Sequence, residues 1–366
     1  MPNLKLLSFA ALAAALLPSA ALAQTDISAQ LQPLIAGTDV PAVTALTIRN
    51  GVVTAEGSAG VRDTRSGAPV ANGDAWHIGS DGKAITATMI ARLVEQGLLS
   101  WDATLAEMMP SLVEGMNPAF ASVRLEDLLS HRAGLVDIIG LDETLAYFND
   151  SRPLPEQRLE YVTRALAMDP VAPAGTTSNY SNSGYVLAAV IAETKTGRPV
   201  EDLIRALVLQ PLGMASADFG ATVEGEPLGH EGGQPLTGVM ADNPAVLAPA
   251  GELHMSLGDW AKFVIDQMRG EKGEGQLLSA ENYARLHRPQ GETNTALGWG
   301  VIPVFRGIEG PLLSHVGSNG YWRAMVVARP ANDSALLTVV NCGDGCDAAA
   351  VNRATLDALA VETLKD

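Results

Sequence analysis

Apolar and polar positions form short strand-like runs at both ends of the chain and recur at helical spacing in between. Val43 to Arg49 (VTALTIR) and Val52 to Ala55 read as strands. Asn50-Gly51 between them supplies the positive φ angles of a two-residue hairpin turn. Near the C-terminus, Gly298 to Phe305 (GWGVIPVF), Tyr321 to Arg329 (YWRAMVVAR) and Ala335 to Asn341 (ALLTVVN) read as further strands, the last two separated by Pro330-Ala-Asn-Asp. Ala348 to Leu364 closes the chain as a helix.

The middle of the chain differs. Ile85 to Gly97, Leu125 to Ser130, Leu159 to Ala167, Tyr185 to Thr196, Pro199 to Val208 and Leu257 to Met268 carry apolar residues at helical spacing. Gly97, Gly134, Gly197 and Gly270 stand where C-terminal caps are expected. Loops rich in Pro and Gly separate these helices, notably Gly220 to Gly251. The pattern predicts an α/β (α+β) fold: an antiparallel sheet built from both termini and flanked by helices, with an inserted all-helical subdomain. The expected boundaries are 24–84 and 290–366 for the α/β part and 85–289 for the helical part.

The first residues, MPNLKLLSFAALAAALLPSAALAQTD, put Lys5 before an apolar run and an Ala21-Leu22-Ala23 site after it. That order predicts a signal peptide over 1–23 with cleavage after Ala23, since the run is too short for a permanent span. The mature chain is then expected to be periplasmic or secreted, without a stable membrane anchor. It has 24 Lys+Arg against 41 Asp+Glu, and removing Lys5 takes the net charge from −17 to −18. Such a field repels phosphate backbones and argues against a nucleic-acid partner. Cys342 and Cys346, in NCGDGC, are either two free thiols or a small disulfide across the turn; an exported chain favours the bridge.

Of the six lysines, only Lys83 has a serine three residues before it, in Gly79-Ser80-Asp81-Gly82-Lys83. The downstream AITATMIARLVEQG reads as a helix, which sets Ser80 in its first turn and Lys83 one turn on, on the same side. A helix N-terminus offers an unpaired N–H at Ser80 to an oxyanion, and its dipole disfavours an extra proton on Lys83. No G-x-S-x-G elbow competes for the nucleophile role. Further on, Tyr180 and Asn182 lie in PAGTTSNYSNSGY just before a helix. A phenol can relay a proton and an amide can hold a substrate carbonyl, although an isolated Y-x-N is also an ordinary capping loop. Ser314-His315-Val316-Gly317-Ser318 precedes a late strand; Gly317 lets a bound substrate strand approach, and the Ser318 N–H could complete an oxyanion hole with that of Ser80.

Together these motifs, with the flanks WHIGS, LLSHRAGL, LQPLGM, PAGELHMS and GWGV, resemble class C β-lactamases, DD-peptidases and related esterases over essentially the whole mature chain. The resemblance implies a serine hydrolase with Ser80, Lys83 and Tyr180 catalytic, and with Asn182, His315, Gly317 and Ser318 binding substrate. Ser80 would form the acyl-enzyme, and either Lys83 or Tyr180 would be the formal base. No metal and no organic cofactor is called for, and the partner is a small-molecule or peptide substrate. Esters or D-amino-acid and peptidoglycan-like amides are the expected substrates. β-Lactam hydrolysis is the alternative within the class, and a non-catalytic binding or sensor module the alternative outside it.

Lys195-Thr196-Gly197 also spells the family's third motif, but it ends a helix and is read as a terminus. Two departures matter. His315 stands where typical β-lactamases carry lysine and is expected to be only partly charged at neutral pH, with Arg323 able to compensate. Asp81-Gly82 replaces small or β-branched residues, and Asp81 could raise the Lys83 pKa if it points inward. The six histidines form no tight metal pattern. His131 is read as ordering a loop, and Trp76, Trp299 and Trp322 as core.

Overall fold

The computed structural model describes residues 24–365; the expected signal peptide lies outside them. Twelve strands occur among the described residues: β1 (Thr25–Asp26), β2 (Ala42–Arg49), β3 (Val52–Gly60), β4 (Ala75–His77), β5 (Asp218–Phe219), β6 (His230–Glu231), β7 (Gln234–Pro235), β8 (Leu253–Ser256), β9 (Gly300–Phe305), β10 (Ile308–Ser318), β11 (Arg323–Arg329) and β12 (Ser334–Val340). Seven build the main sheet in the order β1-β3-β2-β12-β11-β10-β9. Its ladders are antiparallel except for the two-residue pairing of β1 with β3. The N-terminal hairpin thus meets the C-terminal meander at β2 and β12. Asn50 and Gly51 turn the hairpin at φ 52° and 70°, the conformation that Asn-Gly tolerates.

Alternation along these strands serves two cores. Leu337 and Val339 of β12, with Ala324 and Val326 of β11, face a core shared with Trp260, Phe263 and Val264 of the Leu257–Gly270 helix. Leu336, Val340 and Val327 face the other side, against the Ser28–Ile35 and Ala348–Leu364 helices. The expected insertion is not wholly helical, and this corrects the sequence reading. β5 and β8 join β4 in a three-stranded sheet, and β6 pairs with β7. These strands span two to four residues, too few to imprint a period. No helix of the described residues is long and apolar enough to cross a membrane.

Two expected caps also differ. Gly270 ends its helix without a positive φ and is needed instead for space, since a Cβ would stand 2.1 Å from the Tyr283 ring; Gly273 makes the left-handed turn. After the Leu125–Leu129 helix the first left-handed residue is His131 (φ 60°), and Gly134 (φ 76°) follows it. Gly197 caps the Asn182–Thr196 helix at φ 68°, so Lys195-Thr196-Gly197 is a helix terminus, away from the sheet edge.

Candidate active site

Ser80 sits in a single 3₁₀ turn, Gly79–Asp81, that leads into the Gly82–Glu95 helix. Its Oγ lies 3.0 Å from Lys83 Nζ and 2.7 Å from Tyr180 Oη. Lys83 is fully buried, and its Nζ also donates to Asn182 Oδ1 at 2.8 Å and to the Ala250 carbonyl at 2.6 Å. Burial dominates its titration and lowers the amine to about 7, against the opposing pull of Asp137 and Asp81. The Tyr180 residue is 53% exposed, but its hydroxyl turns inward, and burial there pushes the phenol up to about 12.

Asp137, which the sequence reading passed over, organises the Tyr180 loop. It accepts from the Ser183 N–H and Ser181 Oγ, both at 2.9 Å, and from Asn182 Nδ2 at 3.0 Å. It thereby caps the Asn182–Thr196 helix and turns the Asn182 amide oxygen toward Lys83. His131 is not merely a loop ornament. Its ring stacks on Tyr180 at 4.4 Å and its Nδ1 accepts the Ser181 N–H at 3.1 Å. Ser130, the residue before it, donates its hydroxyl to the Glu126 carbonyl at 2.6 Å.

The turn that carries Ser80 is clamped from three sides. The Gly79 N–H donates to Nδ1 of the fully buried His77 at 3.1 Å, which leaves Nε2–H to donate to Asp242 at 3.0 Å. Asp242 also accepts from Asn319 Nδ2 at 2.8 Å, tying the turn to the residue after β10. Gly317 presses on the turn directly: an added Cβ would meet the Ile78 carbonyl at 1.9 Å and Asp81 Oδ2 at 2.5 Å. The close approach that this glycine permits in the structure is thus to the turn that carries Ser80. Gly79 (φ 52°) makes the reciprocal approach to the Ser318 amide. On the far side, Gly251 lies against Gly79 and Ser80.

His315 projects from β10 with its Nδ1 3.9 Å from Asp81 Oδ1. Burial, reinforced by the Lys83 charge, pushes it down to about 3, so the expected partial charge at neutral pH is absent. Asp81 does point inward, but burial raises its carboxyl well above the usual range and blunts its pull on Lys83. Arg323 starts β11 and reaches toward Asp344, 3.8 Å away. His131, Tyr180, Trp299 and His315 help line a cleft of about 450 Å³. Trp76 and Trp322 are core residues in edge-to-face contact, 5.9 Å between centroids. Cys342 and Cys346 form a disulfide.

A family model described as Beta-lactamase matches residues 27–360. The chain belongs to the beta-lactamase family. Family members similar to it include the esterase EstB of Burkholderia gladioli, 32% identical over 57% of this chain and 54% of EstB. A protein named for penicillin binding, PbpX of Bacillus subtilis (strain 168), is 29% identical over 71% of this chain and 62% of its own length. The chain thus spans between about half and two thirds of these curated relatives. Among solved structures, a D-stereospecific amidohydrolase from Streptomyces sp. superposes with a TM-score of 0.71 at 20% identity, covering 88% of this chain and 95% of that one. A D-amino acid amidase from Ochrobactrum anthropi SV3 gives 0.67 at 22%, covering 86% and 90%. The likeness to these two establishes the β-lactamase/transpeptidase-like fold, and the family is one of serine hydrolases.

Proposed function

We propose that this member of the family is an exported serine hydrolase that works through an acyl-enzyme on Ser80 and cleaves esters or D-amino-acid and peptidoglycan-like amides. The observation that carries the reading is the pair of contacts on Ser80 Oγ, from an amine at about 7 and a phenol at about 12. At neutral pH a large share of Lys83 is uncharged, whereas only about one phenol in 10⁵ is ionised. Lys83 is therefore the base, and Tyr180 is the hydroxyl that passes the proton onward.

As the bond from Ser80 Oγ to the substrate carbonyl carbon forms, its proton moves to Lys83 Nζ. The amide hydrogens of Ser80 and Ser318 receive the oxyanion. The proton then travels through Tyr180 to the leaving oxygen or nitrogen as its bond to the carbonyl carbon breaks. Water attacks the acyl-enzyme by the same route in reverse and frees Ser80. Asn182 uses one amide hydrogen on Asp137 and keeps the second for the acyl-side carbonyl, beside β10. Gly317 lets β10 lie against the turn.

The neutral His315 weighs against a substrate gripped by its carboxylate, and so against β-lactams as the main substrates. The names of EstB and of the two amide-cleaving neighbours support the chosen class. Export is supported by the N-terminal pattern and the Cys342–Cys346 bridge.

The test runs p-nitrophenyl acetate, a D-Ala-D-Ala peptide and nitrocefin in parallel on wild type and Ser80→Ala, with intact-mass detection of adducts. Ester or peptide turnover with a Ser80 adduct is expected. Consumption of nitrocefin alone would reverse the substrate order, and folded wild type that takes no fluorophosphonate label would make the scaffold a binding module.

A further inference from the structure

Asp81 and His315 are the two departures from the family's usual motifs, and the fold sets them face to face. Strand alternation puts His315 and Gly317 on one side of β10, and the turn that carries Ser80 rests against that side. Asp81 Oδ2 stands 2.5 Å from where a Gly317 Cβ would be, and Oδ1 stands 3.9 Å from His315 Nδ1.

Neither edge of that gap is satisfied elsewhere. Asp81 is 2% exposed, and both of its carboxyl oxygens are sealed from solvent without a hydrogen bond. His315 Nδ1 is sealed and unpaired as well. Buried polar atoms are seldom left so, and a carboxyl and a ring nitrogen pair through one shared proton. The charge states decide which of them carries it. Burial raises the Asp81 carboxyl well above its usual range, against the pull of Lys83, the Gly317 amide and Arg323. His315 is held neutral by burial and by Lys83. An un-ionised carboxyl can donate, and a neutral imidazole has one nitrogen free to accept. The His315 side chain is 12% exposed, where it helps line the cleft with Tyr180 and Trp299. Its nitrogens lie on different sides of the ring, so turning Nδ1 to Asp81 leaves Nε2 for the cleft.

We propose that Asp81 is a positioning residue for His315: its carboxyl O–H donates to Nδ1 and fixes the tautomer with hydrogen on Nε2, so the cleft offers a neutral N–H donor to a substrate oxygen. An ionised Asp81 would do the reverse, drawing the hydrogen to Nδ1 and leaving Nε2 as an acceptor. The role toward substrate rests on the hydrolase reading above, whereas the tautomer does not.

Nitrogen NMR of isotope-labelled histidine, near neutral pH, reads the tautomer directly, with the His315 signals assigned by their loss in His315→Gln. Wild type should show Nδ1 bare and Nε2 protonated. Asp81→Asn, whose amide N–H replaces the acid O–H, should show the same. Hydrogen on Nδ1 in wild type would overturn the proposal. Turnover of the better of p-nitrophenyl acetate and a D-Ala-D-Ala peptide gives the second reading. Its kcat/KM should fall about tenfold or more in Asp81→Leu and stay within about threefold of wild type in Asp81→Asn. In a His315→Gln background, Asp81→Leu should cost no more than about twofold further, because Asp81 acts through the ring. Equal losses in both backgrounds would assign Asp81 to packing of the turn and overturn the proposal, as would a tenfold loss in Asp81→Asn. Should Asp81→Leu fail to fold, the spectra of wild type and Asp81→Asn still decide. Should no substrate acylate Ser80, the hydrolase reading falls, and the spectra, which need no turnover, still test the pair.

Discussion

His77 Nδ1 accepts the amide hydrogen of Gly79, the residue just before Ser80, at 3.1 Å. The ring is fully buried and its other nitrogen is fixed by Asp242, so the turn that aims Ser80 is set by a residue that touches no substrate. His77→Ala leaves the buried Gly79 amide without its acceptor and takes one of the donors from Asp242, at about 2–3 kcal/mol of stability. In the folded fraction kcat should fall about tenfold or more with little change in KM. His77→Asn, whose side-chain oxygen can accept the Gly79 N–H, should recover part of kcat. A loss confined to KM would show that His77 does not position the turn.

The pH profile of kcat/KM should rise with an apparent pKa near 7 as Lys83 sheds its proton, then stay level until Tyr180 ionises near 12. The sign follows from burial: the folded Lys83 is depressed below its unfolded value of 10.5, so native protein binds fewer protons than the unfolded chain between about pH 7 and 10.5. That group's contribution to stability therefore improves as pH rises through this window. A limb at pH 9 or above, measured with an ester that does not titrate, would contradict a neutral lysine base.

Gly317→Ala should abolish activity and lower the melting temperature. The added methyl collides with the Ile78 carbonyl and the Asp81 carboxyl, neither of which can retreat without moving Ser80. Gly320→Ala is the control for loop changes nearby: nothing stands within 4 Å of its Cβ, so only its left-handed φ of 93° is strained. Fluorophosphonate labelling rates together with thermal melts separate the two effects.

Asp137→Ala removes the cap of the Asn182–Thr196 helix, worth about 1 kcal/mol, and frees Asn182 to rotate from Lys83. We expect roughly tenfold lower kcat, with Asp137→Asn intermediate because it keeps an acceptor for the Ser183 amide. Steady-state kinetics beside urea melts would expose a purely structural role, which would lower stability and leave kcat per folded molecule unchanged.

Arg158→Ala should destabilise by about 3–5 kcal/mol, since it strands the Glu193 and Glu201 carboxylates against a buried wall. Arg158→Ala with Glu193→Gln should recover part of that loss in denaturant unfolding. No recovery would mean that the stranded charge is not the source of the cost.

The linear order of residues carried most of the architecture and singled out the three side chains, Ser80, Lys83 and Tyr180, that the fold brings together. The Asn-Gly hairpin, the alternation in β11 and β12, and the reading of Lys195-Thr196-Gly197 as a helix end are local properties, and each follows from backbone sterics or side-chain period within about ten residues. The short strands β5 to β8 escaped because two to four residues hold too little pattern to separate from a loop.

The serine three before a lysine is also local, since one helical turn brings those side chains to one side whatever surrounds them. What the serine and lysine can do was decided by tertiary structure alone. Lys83 titrates near 7 because Ala250 and Asn182, 167 and 99 residues away, close over it. His315 is neutral because it is buried beside Lys83, and Gly317 is required because a turn more than 230 positions upstream rests on it. His77 and Asp242 meet across 165 residues. Desolvation and contact across such separations depend on which surfaces the fold brings together, and no pattern of neighbours along the chain encodes them.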